Sequence, residues 1–302
     1  MSTNSRVPEP FSLDLGPWRL DAFECGRLAL DGGSMFGSVP RVLWERRIAP
    51  DSSHRIPLAM RLLLLRQPAA GHVVLVDTGI GDKFDARFAD VFAVVNPDRA
   101  AGRLPLDVAL APYGVTRSQV THVLLTHLHF DHGGGVSYRA ADGRLELTFP
   151  HAEHFLQRAN FDTASHPNER ERASYLSDNV EPLREGRLTL LDGPAELFPG
   201  LTVAPSDGHT LGLQTVRIEG GGDVAYYLAD LAPTQHHLHL PFMMGYDLCA
   251  RKLLEEKRGL FTRAVDEQAT VIFEHDPHVA AGRVRQEQGR FALEPLLDSG
   301  SR

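Results

Sequence analysis

The feature that most constrains this chain is the run His-Leu-His-Phe-Asp-His from His127 to His132. Imidazole nitrogen and carboxylate oxygen are the protein ligands that a borderline cation such as zinc prefers, and a tight loop can turn alternate side chains toward one point. At the histidine and aspartate contents of this chain, chance produces such a run about a few times in a thousand sequences of this length. The run therefore predicts a metal site.

Three consecutive glycines, Gly133 to Gly135, follow the histidine run directly. A triple glycine lets the backbone turn sharply, or approach a substrate where a side chain would clash. A flexible loop is the alternative interpretation of the same residues.

Short apolar runs bounded by turn residues predict strands on both sides of the motif. The predicted strands are 59–65, 72–76, 122–125, 201–204, 213–218, 224–228 and 270–273, and the predicted helices are 82–93, with Phe84, Phe88, Val91 and Phe92 on its apolar face, and 248–265. Four strands run into a residue that can bind metal or into a sharp turn, at Asp77, His127, Asp230 and His275. We therefore expect these side chains to form a rim at one edge of a sheet.

The composition is that of an ordinary soluble globular protein, with 42% hydrophobic and 23% charged residues in a chain of 302. No internal repeat or low-complexity linker divides the chain. We therefore expect one domain over 1–302, with frayed ends at 1–10 and 298–302.

The formal net charge of -8 excludes a global basic field, which disfavours nucleic acid or an anionic membrane as the main partner. The N-terminus lacks an apolar core behind a basic start, and no later stretch approaches about 18 uncharged apolar residues. The sequence therefore predicts a cytoplasmic protein that acts on a small-molecule substrate. Cys25 and Cys249 lie far apart, so neither a disulfide framework nor a thiolate site is implied, and both thiols are expected to be buried.

Five landmarks of the chain, from about Leu58 to His275, resemble the metallo-β-lactamase superfamily in order and spacing. They are Val76-Asp77-Thr78-Gly79, the histidine run at 127–132, Gly208-His209-Thr210, Leu228-Ala229-Asp230 and Phe273-Glu274-His275-Asp276. The resemblance implies an α/β fold in which two mixed sheets lie face to face between outer helices, an αββα sandwich.

The resemblance also implies a dinuclear site. By it, His127, His129 and His209 hold one divalent ion, Asp131, His132 and His275 hold the other, and Asp230 bridges them. Asp77 supports the metal loop by hydrogen bonding instead of binding an ion. Zinc is the expected metal, with manganese, iron and cobalt as alternatives.

Two such ions make a hydroxide available at neutral pH, so the resemblance implies a hydrolase that needs no serine or cysteine nucleophile. Asp131 would be the catalytic residue, accepting a proton or passing one to the leaving group. We expect cleavage of a carboxylic ester, lactone or thioester of partly apolar character. A phosphoester or phosphotriester hydrolase, a mononuclear-iron persulfide dioxygenase of the same fold and a non-enzymatic binding protein are the alternatives.

The branch of the family is indicated by few residues. Class B β-lactamases commonly have cysteine at the position of Asp230, which disfavours β-lactam hydrolysis, whereas Phe130 within the motif is similar to the lactonase and organophosphate hydrolase branches. Lactonases often have tyrosine three residues after the bridging aspartate, where this chain has Pro233, so that Tyr227 or Tyr246 would have to substitute.

Two apolar segments are candidates for the wall of a substrate pocket. The candidate pocket residues are Met35, Phe36, Phe130, Phe242, Met243 and Tyr246. Ordinary core packing is the alternative for both segments, and the stretch 241–246 is equally suited to a homodimer contact. The further cluster His236, His237 and His239 is expected to be supporting or loop histidine, with an extra metal site as the alternative.

Overall fold

The computed structural model describes residues 10–97 and 103–296. The described part contains 16 strands and eight α-helices, joined by short 3-10 turns. The strands are β1 Phe11–Leu15, β2 Trp18–Asp31, β3 Arg55–Gln67, β4 His72–Val76, β5 His122–Leu124, β6 Ser137–Arg139, β7 Leu145–Leu147, β8 Glu153–Gln157, β9 Leu188–Leu191, β10 Ala195–Phe198, β11 Leu201–Ser206, β12 Leu213–Gly220, β13 Asp223–Tyr227, β14 Thr270–Ile272, β15 Ala281–Glu287 and β16 Arg290–Pro295. The helices are α1 Gly32–Phe36, α2 Arg41–Trp44, α3 Ala86–Val91, α4 Pro105–Leu110, α5 Phe130–Gly133, α6 Arg158–Ser165, α7 Ser177–Glu185 and α8 Ala250–Asp266.

Two seven-stranded mixed sheets form the centre of the fold. The first has the order β1-β2-β3-β4-β5-β8-β9, and the second follows the chain from β10 to β16. The first sheet is antiparallel from β1 to β4 and parallel from β4 to β9, whereas the second contains one parallel pair, β13 with β14. The short strands β6 and β7 form a separate hairpin.

The uninterrupted leucines of β3 show why the sheets pack as they do. Leu62 and Leu64 belong to the core on one face of the first sheet, and Leu63 and Leu65 to the core on the other, because successive side chains of a strand alternate between faces. A strand buried on both faces has no polar side, and its sequence is therefore apolar throughout.

Three apolar cores, which separate four layers, follow from this alternation. Leu63 of the first sheet and Val216 of the second share the core between the sheets. Leu106 of α4, Phe161 of α6 and Leu183 of α7 cover the outer face of the first sheet. Phe261 of α8, with its neighbours, covers the outer face of the second. The αββα sandwich predicted from the sequence is confirmed.

Two local predictions were wrong. The helix expected at 82–93 is restricted to Ala86–Val91, because the Asp85 carboxylate accepts a hydrogen bond from the Phe88 amide at 2.7 Å and caps the helix there. Val91, expected on its apolar face, is 52% exposed. Cys25 is buried as expected, but Cys249, which directly precedes α8, is exposed.

The loops that leave β5, β11, β13 and β14 meet at one edge of the sandwich. The edge is closed by hydrogen bonds between the sheets: the Ala59 amide donates to the His275 carbonyl at 3.1 Å, and the Arg61 amide to that of Glu274 at 3.1 Å. Within the described ranges, no helix has the length and apolarity needed to cross a membrane.

Candidate metal centre

Seven buried side chains converge at this edge and form two adjacent groups of potential metal ligands. In the first group, one ligand atom from each of His127, His129, His209 and Asp230 lies within 4.8 Å of every other, and the same holds for Asp131, His132 and His275 in the second. The histidine run leaves β5, His209 lies in the turn between β11 and β12, and Asp230 and His275 follow β13 and β14. The structure thus brings together every residue that the sequence proposed as a ligand.

Asp230 lies at the centre of the cluster. Its Oδ2 atom is 3.1 Å from Nε2 of His209 and 3.5 Å from Nε2 of His132, and its Oδ1 atom is 3.3 Å from Nε2 of His275. One carboxylate therefore faces imidazoles of both groups, which is the geometry that a bridging ligand requires.

Asp131 lies on the other side of the second group, where the cluster meets a pocket. Its Oδ2 atom is 3.7 Å from Nε2 of His275, and its Oδ1 atom is 3.9 Å from Nε2 of His132. The Asp131 side chain is 10% exposed, so this carboxylate is available both to an ion and to a molecule in the pocket.

Several atoms of the cluster have no protein partner, which tests whether the residues suit metal ions. Nε2 of His127, Nε2 of His129 and Oδ1 of Asp230 are buried without a hydrogen bond. Two pairs of ring nitrogens face each other at 3.2 Å, His275 with His132 and His209 with His129. Buried polar atoms normally have partners, and inward-facing lone pairs of this kind are suited to divalent cations.

The pKa values of the histidines also indicate a site that is suited to metal ions. Burial, together with neighbouring imidazoles, lowers the pKa of His127 and His129 well below the usual value, so both rings are neutral at pH 7. Burial acts on His209 and His275 in the same sense, but the charge of Asp230 prevails and raises the pKa of each to about 9. The carboxylates therefore attract positive charge into a buried site, and a divalent ion can take the place of the protons.

The outward-facing nitrogens of the cluster are held by groups that fix each ring. Nδ1 of His132 lies 3.0 Å from a Glu274 carboxylate oxygen and 3.2 Å from Oδ2 of Asp77. Nδ1 of His275 is 2.8 Å from the Ala59 carbonyl oxygen. Partners of this kind set the tautomer so that Nε2 faces the cluster.

Asp247 and Glu274 are the supporting residues that sequence reasoning missed. The Asp247 carboxylate lies 2.8 Å from Nδ1 of His209, although the two residues are 38 positions apart in the sequence. No motif indicates such a contact. Glu274 adjoins His275, and its position next to a proposed ligand was the one available signal. Burial, opposed by His132, raises the pKa of Glu274 to about 7.

Asp77 joins β4 to the metal loop. Its two carboxylate oxygens accept hydrogen bonds from the amide and the hydroxyl of Thr126, each at 2.7 Å. Asp77 and Ala229, next to Asp230, both have left-handed backbones, with φ of 59° and 46°. Strain of about 1–3 kcal/mol at such residues persists only where the surroundings impose it, here beside the cluster.

Replacing Asp77 with alanine should lower the free energy of unfolding by about 3 kcal/mol, because it leaves the Thr126 amide and hydroxyl buried without an acceptor. Urea denaturation of the metal-free protein measures this loss apart from any effect on metal affinity. The matched control is Asp14→Ala, which removes a largely exposed ion pair with Arg19 and should change stability by less than about 0.5 kcal/mol. Equal stability of the two variants would refute the supporting role of Asp77.

The glycine run packs against the turn that follows β4. A Cβ atom on Gly134 would lie 2.2 Å from the Ile80 carbonyl oxygen, and one on Gly135 would lie 2.2 Å from that of Thr78. The glycines thus permit close packing between the metal loop and the turn after β4.

An apolar pocket of about 170 Å³ opens onto the cluster. Of the pocket residues proposed from sequence, Met35, Phe130 and Tyr246 line it. Phe36, Phe242 and Met243 do not: Phe36 stacks on Trp44 and His237, Phe242 packs edge-on against Phe36, and Met243 joins the core around α8. The remaining apolar lining is Leu30, Leu58, Phe92, Ala173 and Met244.

The sequence left open whether Tyr227 or Tyr246 reaches the site, and the structure distinguishes the two. Tyr227 is fully buried between the sheets, and its hydroxyl donates to the Arg61 carbonyl at 2.6 Å. Tyr246 lines the pocket and is 38% exposed. Of these two tyrosines, Tyr246 is the one positioned to contact a molecule bound in the pocket.

The additional histidines lie outside the metal cluster. His237 is buried, with Nδ1 at 2.8 Å from the Thr234 hydroxyl and Nε2 at 2.9 Å from the Met35 carbonyl oxygen. It therefore supports a pocket residue. His236 and His239 line a separate surface groove with Arg47 and Arg290.

Comparison with known proteins agrees with the fold. A sequence profile described as the metallo-beta-lactamase superfamily matches residues 63–143, the segment that contains the histidine run. An N-acyl homoserine lactonase from Bacillus cereus is 24% identical over 229 residues, which cover 72% of this chain and 78% of the lactonase. Another, from a Bacillus species, is 27% identical over 58% of this chain, and the match spans 61% of that relative.

Solved structures extend the likeness over nearly the whole chain. A probable metal-dependent hydrolase from Staphylococcus aureus superposes with a TM-score of 0.83 at 26% identity, covering 94% of this chain and 100% of the other. A dizinc quorum-quenching lactonase, with a product bound, has a TM-score of 0.75 at 20% identity, covering 95% and 97%. Residues 63–143 thus match the metallo-β-lactamase superfamily, and over nearly its whole length the chain is similar in fold to a probable metal-dependent hydrolase.

Proposed function

We propose that this protein is a dinuclear metal-dependent hydrolase that cleaves a carboxylic ester or lactone, with thioesters as the nearest related substrates. The observation that carries the proposal is the position of Asp230 between two sets of buried ligands. The named relatives, lactonases and metal-dependent hydrolases, support the same class.

In this proposal His127, His129 and His209 would hold one ion, Asp131, His132 and His275 would hold the second, and Asp230 would be a ligand shared by the two sites. When bound, the ions supply a hydroxide nucleophile at neutral pH and polarise the oxygen of the scissile group. Zinc is the proposed metal, since histidine and carboxylate ligands suit it and one structural neighbour is described as dizinc.

Side chains of the pocket would provide the proton transfer and the apolar environment for the reaction. Asp131 reaches the pocket and is positioned to accept a proton and deliver it to the leaving alkoxide. Met35, Leu58 and Met244 give the pocket an apolar wall that keeps water from the reacting group.

The lining of the pocket favours a neutral substrate. Within the described ranges it contains no lysine or arginine, and the side chains that carry negative charge there are Asp131 and Asp230. A phosphomonoester dianion or a phosphodiester monoanion would find no lysine or arginine beside it and would face these two carboxylates. The complete second ligand set likewise favours two ions over the single iron of a persulfide dioxygenase.

Hydrolysis of a matched panel tests the proposal: aryl esters, γ-lactones with acyl side chains, thioesters and phosphotriesters, each with protein loaded with zinc, manganese, cobalt or iron. We expect chelator-sensitive turnover of an ester or lactone at a kcat/KM at least a hundredfold above the phosphotriester value. Turnover of phosphotriesters alone, or oxygen uptake with a persulfide, would refute it.

Tyr246 is proposed to donate a hydrogen bond to a substrate oxygen, because it lines the pocket. Burial raises the pKa of its hydroxyl, opposed by a hydrogen bond with Ser34 and reinforced by the charge of Asp131, so the hydroxyl keeps its proton. Tyr246→Phe should lower kcat/KM for the best panel substrate about fivefold to tenfold, the effect of one hydrogen bond. Tyr227→Phe is the matched control: it should lower stability by about 1 kcal/mol and leave kcat/KM unchanged. Equal kinetics of Tyr246→Phe and wild type would remove Tyr246 from the mechanism.

A further inference from the structure

A second cavity, of about 350 Å³, adjoins the metal pocket and shares Phe130 as a wall. The metal pocket alone, at about 170 Å³, is smaller than the usual range for sites that hold a drug-sized ligand, about 300–1,000 Å³. The two cavities together fall within that range. A substrate larger than the reacting group therefore has space to extend past Phe130.

The wall nearest Phe130 is aromatic. The Phe88 ring lies edge-on to the Phe130 ring at 5.2 Å between centroids, and the Phe84 ring stacks on Phe88 at 5.6 Å. Tyr175, which also lines the second cavity, packs its ring against His129 at 4.8 Å. Residues that line the second cavity thus touch the metal site directly, and a ligand passing between them contacts apolar surface.

Two polar side chains, Asn179 and Lys83, also line this cavity. Asn179, on α7, is fully buried, and neither its amide nitrogen nor its amide oxygen has a hydrogen-bond partner. Leaving such groups unpaired costs about 1–3 kcal/mol each. A side chain retained at that cost indicates a partner that enters from the cavity.

Lys83 supplies the second polar group. Its ammonium donates to the Gly134 carbonyl and, at 2.6 Å, to that of Ser137, which uses two of its three N–H bonds. Burial lowers the pKa of Lys83 to about 8, so the group is still mostly charged at neutral pH. Among the described residues no carboxylate lies within ion-pair distance of it. Asp178, also in the lining, is instead paired with Arg139.

We propose that the second cavity binds the distal arm of the substrate and that Lys83 and Asn179 recognise an oxygen acceptor on that arm. This rests on the proposed hydrolase function and narrows its substrate class. The substrate is an ester or lactone whose apolar chain runs past Phe130 and carries a carbonyl, hydroxyl or carboxylate oxygen beyond it.

The test uses matched pairs of 4-nitrophenyl alkanoates, four to ten carbons long, with and without a keto oxygen at the penultimate carbon. A third series ends in a carboxylate, which distinguishes a neutral from an anionic acceptor. We expect an oxygenated ester to exceed its plain partner at least tenfold in kcat/KM at one chain length. Asn179→Leu and Lys83→Met should each reduce this ratio to below about threefold.

Lys252→Met is the control, because Lys252 is an exposed lysine of α8 that pairs with Asp207 and lines neither cavity, and it should keep the ratio of wild type. Asn179→Leu also guards against misfolding, because it removes atoms that have no protein partner and should leave the thermal midpoint unchanged or raised. A ratio in Asn179→Leu equal to that of wild type at every chain length would overturn the proposal.

Calorimetric titration with the matching N-methyl amides separates this proposal from the hydrolase function. The amides occupy the same space without requiring cleavage. Selective binding of oxygenated amides, lost in Asn179→Leu, would uphold the cavity assignment even if no ester were cleaved. Ester cleavage with equal binding of both amide series would uphold the hydrolase and refute the cavity assignment.

Discussion

Replacing Asp230 with asparagine should reduce kcat/KM for the best substrate by at least about a thousandfold, equivalent to about 4 kcal/mol of transition-state stabilisation. The substitution is nearly isosteric. It removes the negative charge that faces His209, His132 and His275 at 3.1–3.5 Å, and the amide nitrogen cannot serve as a second ligand oxygen.

The matched control is Asp21→Asn, because Asp21 is another buried carboxylate in the same fold. It accepts hydrogen bonds from Ser12 and Arg66 at the β1–β2 side of the first sheet, away from the cluster. We expect it to lose stability and to keep its activity once folded. Steady-state kinetics and metal analysis of both variants test the bridging role of Asp230. A less than tenfold loss in Asp230→Asn, with full metal content, would refute the bridging role.

Removing the metals should lower the thermal midpoint by at least about 10 °C at pH 9, and by less at pH 6.5. A ligand at a thousand times its Kd adds about 4 kcal/mol of stability per site, and a protein of this size loses roughly 2 °C for each kcal/mol. Because metal must displace protons from the imidazoles, its contribution grows as pH rises.

The metal-free protein changes in the opposite direction over the same interval. The pKa values of His209 and His275, raised to about 9, lie above the unfolded value of 6.5. Their contribution to stability is therefore complete below pH 6.5 and is lost as pH rises toward 9. Below pH 6.5, the lowered pKa values of His127 and His129 cost stability, because only the unfolded chain takes up those protons.

Calorimetric melts of chelated and zinc-loaded protein at both pH values measure these effects. We expect the gap between the two melts to widen from pH 6.5 to pH 9. A chelated protein as stable as the loaded one at pH 9 would show that the cluster does not bind metal with useful affinity. A gap that stays constant would contradict the displacement of imidazole protons by metal.

The sequence predicted the scaffold of the site because that scaffold is local. Each strand that ends at Asp77, His127, Asp230 or His275 is a short apolar run next to the functional residue, and both the run and the residue can be read within a few positions. The leucines of β3 are consecutive, and such a run indicates a central strand that is buried on both faces.

The walls of the pocket could not be predicted, because they depend on which face of each segment turns inward. Phe36 and Phe242 are apolar neighbours of lining residues, yet both pack into the core beside His237. Met35 and Met244 face the cluster instead. A shift of one or two positions along a segment decides whether a side chain faces the pocket or the core. Short irregular segments have no periodicity from which this orientation can be predicted.

The contact of Asp247 with His209 could not be predicted from sequence for a related reason. Asp247 reaches His209 because the loop that precedes α8 returns to the β11–β12 turn, where the Leu248 amide donates to the His209 carbonyl at 3.1 Å. Such a contact depends on how two loops dock, and nothing near either residue marks it. The hydrogen bonds from Lys83 to the Gly134 and Ser137 carbonyls could not be predicted from sequence for the same reason.

Elemental analysis of the purified protein, after reconstitution and removal of free metal, tests the central claim most directly. Two divalent ions per chain, with ester or lactone hydrolysis lost on chelation and restored by zinc, is the predicted result. A stoichiometry of one ion, or none, in protein that is folded and hydrolyses these substrates would contradict the dinuclear account.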